Sequence, residues 1–417
     1  MRIAMISYHT CPLATLGGKD TGGMNVYVRD LTRYLGMTGV GVDVYTRSQD
    51  EHVPHVLHDL GFGNRVVHVP AGPEEPLPKD QLANFVPTFA DHVLSIAARK
   101  GLHYDLIHSH YWLSGLASLQ LQTAWDVPFI QMFHTLGKMK ERVARSPAEG
   151  KLDQRIEAER MLMAKADRVV AATEAELAQF QWLYKADIDR VRVIPPGVDT
   201  TRFYPIPRDE AKEFVGIELD NKMILFVGRL EPLKGIDTLL RAIAQLHSNG
   251  DIEPECQCLV VIGGDSESSD PTSEIERLKS ISAELGMQDL VAFIGSRDQD
   301  KLPYYYSAAE VIVVPSQYES FGLVALEAMA CGRPVVASET GGLVFLVKDG
   351  ETGFHVPAAD PDALAGKLRL LLHDQGLRRQ FGENARRYAS VYAWPKITEA
   401  IVELYEDVLA EQAVAAG

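Results

Sequence analysis

Short apolar runs rich in valine and isoleucine alternate with amphipathic stretches along the whole chain, the pattern of βαβ units in a mostly parallel sheet. The runs predict strands at 2–7, 41–46, 65–69, 104–108, 128–133, 168–172 and 191–194. A second series follows at 222–227, 257–263, 290–294, 310–314, 334–337 and 353–356. Between the two lies Ile194-Pro195-Pro196-Gly197-Val198-Asp199. Its prolines remove two backbone donors and its glycine is permissive, so neither a helix nor a central strand runs through it, and it reads as an interdomain linker. The tail from about Trp394 to Leu409 carries Ile397, Ile401, Leu404, Tyr405 and Val408 at helical spacing and must bury that face. The expected architecture is α/β. One domain spans 1–195 together with a C-terminal helix at about 392–417, and the other spans 206–391.

Composition narrows what such a chain does. With 417 residues, 46% of them hydrophobic, it has apolar mass for two cores. Lys plus Arg number 41 against 57 Asp plus Glu, a formal charge of −16. A surface of that sign repels phosphate backbones, so nucleic acid is not an expected partner. No stretch approaches the roughly 20 apolar residues that span a bilayer, and the first strand follows the initiator directly. No integral membrane segment is expected, and a cytoplasmic location is. Cys11, Cys256, Cys258 and Cys331 show no paired metal-ligand spacing, and Cys256-Gln257-Cys258, entering an apolar strand, reads as structural and reduced.

Chemistry concentrates in three places. After the first strand comes Gly17-Gly18-Lys19-Asp20-Thr21-Gly22-Gly23-Met24-Asn25, then Val26, Leu31 and Leu35 at helical spacing. Glycines at a strand-to-helix turn let backbone N–H groups approach phosphate, although they serve equally as a plain flexible turn. A dinucleotide fold is disfavoured, because no G-x-G-x-x-G follows the strand directly and the next strand ends Val44-Tyr45-Thr46-Arg47 with no acid for a ribose. In the second series, Phe226-Val227-Gly228-Arg229-Leu230-Glu231-Pro232-Leu233-Lys234-Gly235 sets two cations around a turn. A planar guanidinium and a compact ammonium converging on a diphosphate would neutralise a leaving group; solvated surface cations are the plainer alternative. Further on, Pro315-Ser316-Gln317-Tyr318-Glu319-Ser320-Phe321-Gly322-Leu323 leads into Val324-Ala325-Leu326-Glu327. A helix beginning near Ser320 would put Glu319 at its mouth and Glu327 about 12 Å along it, with the N–H groups of Phe321, Gly322 and Leu323 open to phosphate. His108 and His110 alternate on a strand, but with no cysteine near and only Asp105 as an acidic neighbour they are not read as metal ligands.

G-R-L-x-P-x-K-G paired with E-S-F-G-L-V-A-L-E resembles the retaining glycosyltransferases of GT-B architecture that include sucrose synthase and sucrose-phosphate synthase. The likeness covers nearly the whole chain. Within that family it is nearest to the D-inositol-3-phosphate glycosyltransferases of mycothiol synthesis, through Gly22-Gly23-Met24-Asn25-Val26-Tyr27-Val28, His108-Ser109-His110-Tyr111-Trp112-Leu113-Ser114-Gly115 and His134-Thr135-Leu136. The resemblance implies two facing Rossmann-like domains with the C-terminal helix crossing back to the first. It implies that Arg229 and Lys234 bind a diphosphate, Glu319 the transferred sugar and Glu327 the ribose, with Gly23, Phe321, Gly322 and Leu323 completing the donor set. His134 would hydrogen-bond a sugar hydroxyl and orient the donor. Lys79, Tyr111, Thr135 and Arg155 match positions that hold an acceptor phosphate, and Lys140 with Arg155 matches the sucrose-phosphate side. The segment with Lys138, Lys140, Arg142, Arg145, Lys151, Arg155 and Arg160 is basic for so acidic a chain, although a salt-bridged helix face would look the same.

The activity so implied moves a hexosyl group from UDP-glucose or UDP-N-acetylglucosamine to a hydroxyl of a small phosphorylated acceptor, inositol phosphate or fructose 6-phosphate, with retention. No cofactor or metal is called for, the UDP-sugar being a co-substrate. Retention without a carboxylate nucleophile suggests same-face substitution, the departing phosphate taking the acceptor's proton while the protein supplies position and charge. Two alternatives stand beside it: a lipid or glycan acceptor, to which an apolar face of Phe85, Phe89, Val93 and Leu94 would suit a peripheral enzyme, and a non-catalytic nucleotide-sugar-binding protein. A homo-oligomer is compatible with the sequence.

Overall fold

The computed structural model describes residues 1–14, 21–144, 152–252, 259–264 and 273–416. The chain divides into two compact units. The first holds 1–14, 23–197 and 394–417, and the second holds 198–393 with 15–22. The chain leaves the first unit at Gly197 and re-enters it at Trp394.

The first unit is built on an eight-stranded sheet: β1 (Arg2–Ile6), β2 (Gly41–Arg47), β3 (Val56–Leu57), β4 (Arg65–Val69), β5 (Leu106–His110), β6 (Phe129–Met132), β7 (Arg168–Ala171) and β8 (Val191–Val193). Their order is β3-β4-β2-β1-β5-β6-β7-β8. All neighbours are parallel except β3, a two-residue edge strand antiparallel to β4 that carries no apolar run and escapes the sequence pattern. The inner strands read as near-continuous apolar runs because helices cover both faces of such a sheet. The helix Gly23–Met37 buries Val26, Leu31 and Leu35. Against it packs the last helix, Trp394–Ala416, which buries Ile397, Ile401, Leu404, Tyr405 and Val408. Trp394 is fully buried beside Tyr27 and Tyr34, and a Cβ on Gly197 would fall 2.5 Å from its ring, so only glycine fits there. Phe89 and Val93 lie in the core of this unit, with Phe85 and Leu94 packed against it. That apolar face is therefore occupied by the protein itself and is not offered to a membrane.

The second unit has a six-stranded, all-parallel sheet: β9 (Ile224–Val227), β10 (Leu259–Ile262), β11 (Val291–Gly295), β12 (Val311–Val314), β13 (Val335–Ser338) and β14 (Gly353–Val356), in the order β11-β10-β9-β12-β13-β14. Each sheet reverses its strand order once, at β1 between β2 and β5 and at β9 between β10 and β12. In open parallel sheets, ligands bind beyond the carboxyl ends of the strands at such a reversal. No helix among the described residues is long and apolar enough to cross a membrane.

Candidate active site

In the second unit the reversal gathers the cations and carboxylates of the two motifs. Gly228 follows β9, and its carbonyl lies 1.8 Å from where a Cβ on Gly263 would be, so the chain ends after β9 and β10 can approach only without a side chain there. Arg229 follows, its Nη1 donating to Glu231 Oε1 at 2.5 Å. The single turn Pro232–Lys234 ends at Gly235 in the left-handed region (φ 67°), where a Cβ would sit 2.0 Å from the Pro315 carbonyl. Lys234 is thereby aimed at the loop after β12, and its Nζ donates to Glu319 Oε2 at 2.6 Å. The loop bearing Glu319 is held from behind by the turn after β13: Gly342 N donates to the Glu319 carbonyl at 3.0 Å, and Cβ atoms on Gly341 and Gly342 would fall 1.9 Å and 2.4 Å from the carbonyls of Glu319 and Ser320.

The helix expected from Ser320 begins at Leu323 instead, running to Ala330. Gly322 at φ 106° breaks the helical path, so Glu319 and Ser320 belong to a loop and the 12 Å helical spacing to Glu327 does not apply. Phe321 is buried. Glu327 is buried rather than solvated: Tyr306 donates to its Oε2 at 2.7 Å, and Gln299 Nε2 lies 3.4 Å from Oε1. Arg202 in turn donates to the Gln299 amide oxygen at 3.0 Å, which orients that side chain. Burial, and then the Glu327 charge, push the Tyr306 hydroxyl well above its usual range, so it stays a proton donor to the carboxylate.

In the first unit several of the residues expected to hold an acceptor meet on Arg155. Arg155, buried on the helix Asp153–Lys165, donates through Nε to Glu159 at 2.6 Å, through Nη1 to the Tyr111 hydroxyl at 3.2 Å and through Nη2 to Thr135 Oγ1 at 3.1 Å. Burial works against its charge, but Tyr111 and Glu159 outweigh that and hold the guanidinium above its usual range. Glu159 is itself fixed by the Gly137 N–H, at 2.9 and 3.1 Å, and by the Tyr184 hydroxyl. Tyr111 after β5 (φ 78°) and His134 after β6 (φ 61°) both have left-handed backbones, a strain of about 1–3 kcal/mol each that surrounding structure must hold. Lys79 opens the short helix Lys79–Leu82, and Arg47 fixes the loop before it by donating to the carbonyls of Ala71 and Glu75 at 2.8 and 3.0 Å.

One residue of this site went unread in the sequence. His9, just beyond β1 at the sheet's reversal, packs at a tilt against Tyr111, with ring centroids 4.4 Å apart, and is buried. Burial first, then the charges of Lys79, Arg155 and Lys140 around it, push its imidazole well below the ordinary range, and its Nδ1 has no hydrogen-bond partner among the described residues. Only its place at the carboxyl end of the first strand could have marked it.

The expected sites thus fall into two groups. Arg229, Lys234, Glu319, Phe321, Gly322, Leu323 and Glu327 lie in the second unit; Lys79, Tyr111, His134, Thr135, Lys140 and Arg155 lie in the first, with Gly23 at the start of the helix Gly23–Met37. Gly17, Gly18, Arg145, Lys151, Cys256 and Cys258 lie outside the described residues. Among the described residues no group of three or more His, Cys, Asp or Glu side chains is placed to hold a metal.

Comparison with known proteins decides the family. Residues 21–202 match Glycosyltransferase Family 4, and residues 207–388 match Glycosyl transferases group 1. A D-inositol 3-phosphate glycosyltransferase of Acidothermus cellulolyticus is 42% identical over 100% of this chain and 92% of its own, and that of Corynebacterium jeikeium is 40% identical over 98% and 97%. This chain belongs to their glycosyltransferase family. The glycosyltransferase also superposes on sucrose-phosphate synthase from Thermosynechococcus elongatus with a TM-score of 0.90 at 36% identity, covering 98% of this chain and 99% of that one. Anabaena HepE, solved in complex with UDP and glucose, shares the fold at a TM-score of 0.75 and 20% identity, covering 97% and 99%. The architecture is GT-B, with two Rossmann-like parallel-sheet domains, and the last helix of the glycosyltransferase returns to the first of them.

Proposed function

We propose that this glycosyltransferase moves a hexosyl group from a UDP-sugar to a hydroxyl of a small phosphorylated acceptor, with retention of configuration. The observation that carries the acceptor class is the cluster of Lys79, Lys140 and Arg155 around a neutral His9, with the hydroxyls of Tyr111 and Thr135 on the same guanidinium, in a chain of net charge −16. Cations so concentrated against the sign of the whole protein suit a phosphate. An inositol phosphate is the first choice, because relatives with that acceptor in their names match over the full length. Fructose 6-phosphate is second, on the likeness to sucrose-phosphate synthase. UDP rests on the resemblance of the Arg229–Lys234 and Glu319–Glu327 motifs to the family.

In the reaction proposed, Arg229 and Lys234 leave their partners Glu231 and Glu319 to neutralise the diphosphate as its bond to the anomeric carbon breaks. The acceptor oxygen bonds to that carbon on the face the diphosphate leaves, and the acceptor's hydroxyl proton passes to the departing phosphate oxygen. Glu319, released from Lys234, accepts hydrogen bonds from sugar hydroxyls, and Glu327 takes the ribose. Catalysis then comes from position and charge, with no covalent intermediate on the protein. The test is UDP release from UDP-glucose and from UDP-N-acetylglucosamine with D-inositol 3-phosphate, fructose 6-phosphate or an unphosphorylated hexose, with product identified by mass. Strong stimulation by one phosphorylated acceptor is expected. Equal rates with and without phosphate would remove the acceptor reading, and no turnover with tight UDP binding would favour a non-catalytic nucleotide-sugar binder.

A further inference from the structure

Three histidines lie in line in the first unit. His108 and His110 stand two apart on β5, which puts them on one face of the sheet, with ring centroids 4.4 Å apart. His134 follows β6, and its Nε2 is 3.0 Å from His110 Nδ1. At the far end, His108 Nδ1 is 2.7 Å from the Tyr405 hydroxyl of the last helix. Tyr27 packs edge-on against both His110 and His134, at 5.6 and 5.2 Å, which fixes the two rings relative to each other. Burial pushes His108 and His134 down to about 3 and His110 well below its ordinary range, so all three are neutral at physiological pH.

Two neutral imidazoles that share one nitrogen-to-nitrogen hydrogen bond have a single proton between the facing atoms, and the other nitrogen of each ring follows from where it sits. His110 supplies the deciding fact: its Nε2 is buried and has no hydrogen-bond partner among the described residues. With the proton on Nε2, His110 would strand a buried N–H donor. With the proton on Nδ1, it strands only a lone pair, and orphaned buried N–H groups are the rarer of the two in folded proteins.

We infer that His110 carries its proton on Nδ1, donates it to His134 Nε2, and so locks His134 in the tautomer protonated on Nδ1. His134 then presents a hydrogen-bond donor, never an acceptor, to a sugar hydroxyl oxygen. His110 is a positioning residue in this arrangement, and the inference rests on the reading of His134 as a sugar contact. The left-handed backbone at His134 turns the chain sharply after β6, and the bond from His110 holds the ring against that turn.

Two measurements test it on the whole enzyme. With 15N-labelled histidine, long-range proton–nitrogen correlation reads the tautomer, His134 being assigned by the signal lost in His134→Gln. A protonated Nδ1 and a bare Nε2 are expected; a protonated Nε2, or averaging between the two, overturns the inference. In UDP-release kinetics, His110→Ala is expected to lower kcat roughly 10–100-fold, the usual scale for losing an orienting partner, with acceptor KM within about twofold. His110→Asn, whose amide N–H lies near the position of Nδ1, should restore most of that loss. An unchanged kcat in His110→Ala, or an Asn variant that is folded yet equally impaired, overturns it too. If the wild-type enzyme releases no UDP with any donor, the function proposed above fails, and the tautomer measurement still decides the role of His110.

Discussion

Lys234 and Glu319 are bonded to each other at 2.6 Å, so each of the two charges proposed to meet the donor has an opposite charge beside it. Both side chains are mostly buried, and removing one strands the other in a poorly solvated site. Lys234→Ala is therefore expected to lower kcat by about 10²–10³, the scale of losing one transition-state donor. Glu319→Ala should be similarly damaging, and the double variant should be far less impaired than the product of the two single losses. Steady-state UDP release over this cycle checks it, and strict additivity would show that the pair does not act as a unit. At the site proposed for the acceptor, Arg155 reaches Tyr111, Thr135 and Glu159 at once, which takes a planar fork. Arg155→Lys should raise the KM of a phosphorylated acceptor about tenfold or more while the donor KM stays within about twofold. Equal changes in both constants would place Arg155 outside the acceptor site.

At the scale of elements, the strand ends that carry these residues are shaped by glycines facing other loops. Gly341 (φ 48°) leaves only 1.9 Å between an added Cβ and the Glu319 carbonyl, so Gly341→Ala must push the Glu319 loop away or distort its own backbone. A loss on the order of a few kcal/mol in stability and a weaker affinity for UDP are expected, measured by urea unfolding and calorimetry. Wild-type UDP affinity in a folded Gly341→Ala protein would show that the turn does not set the Glu319 loop. The same contrast explains what the sequence could and could not reveal. Among the described residues, thirteen of the fourteen strands are legible as apolar runs because a covered parallel sheet writes its burial into consecutive residues, whereas β3 is two residues on an edge. The start of the helix that carries Glu327 is misplaced because Gly322 sits at φ 106°, a conformation no local apolar pattern encodes. Arg229, Lys234 and Glu319 stand out as charges at strand ends. Gly341, Gly263 and His9 do not, because what makes them matter is the approach of a chain segment distant in sequence.

Over the whole molecule, the buried titrating groups set a pH dependence whose sign can be worked out. Five histidines, His9, His68, His108, His110 and His134, have imidazoles pushed down by burial, with His108 and His134 at about 3. Unfolded, each would titrate near 6.5, so below that pH the unfolded chain binds more protons and stability falls, by about 1.4 kcal/mol per pH unit for each such group. Glu176 acts in the opposite sense. Burial raises it to about 7, so its contribution is full below the ordinary carboxyl range and is lost as pH rises through 7. Between about pH 4.5 and 6.5, five histidines oppose one carboxyl and must win. The general charge also relaxes there, since the net charge of −16 approaches zero near the pI of 5.3, which by itself would favour the folded state. A steep fall in the free energy of unfolding from pH 7 to pH 5, read from urea titrations, is thus a signature of the histidines specifically. Glu176→Gln should steepen that fall by removing the one opposing group, while His108→Gln should make it shallower. A stability that stays level from pH 7 to pH 5 would mean that these imidazoles accept protons without unfolding, and that the line of His108, His110 and His134 is open to water.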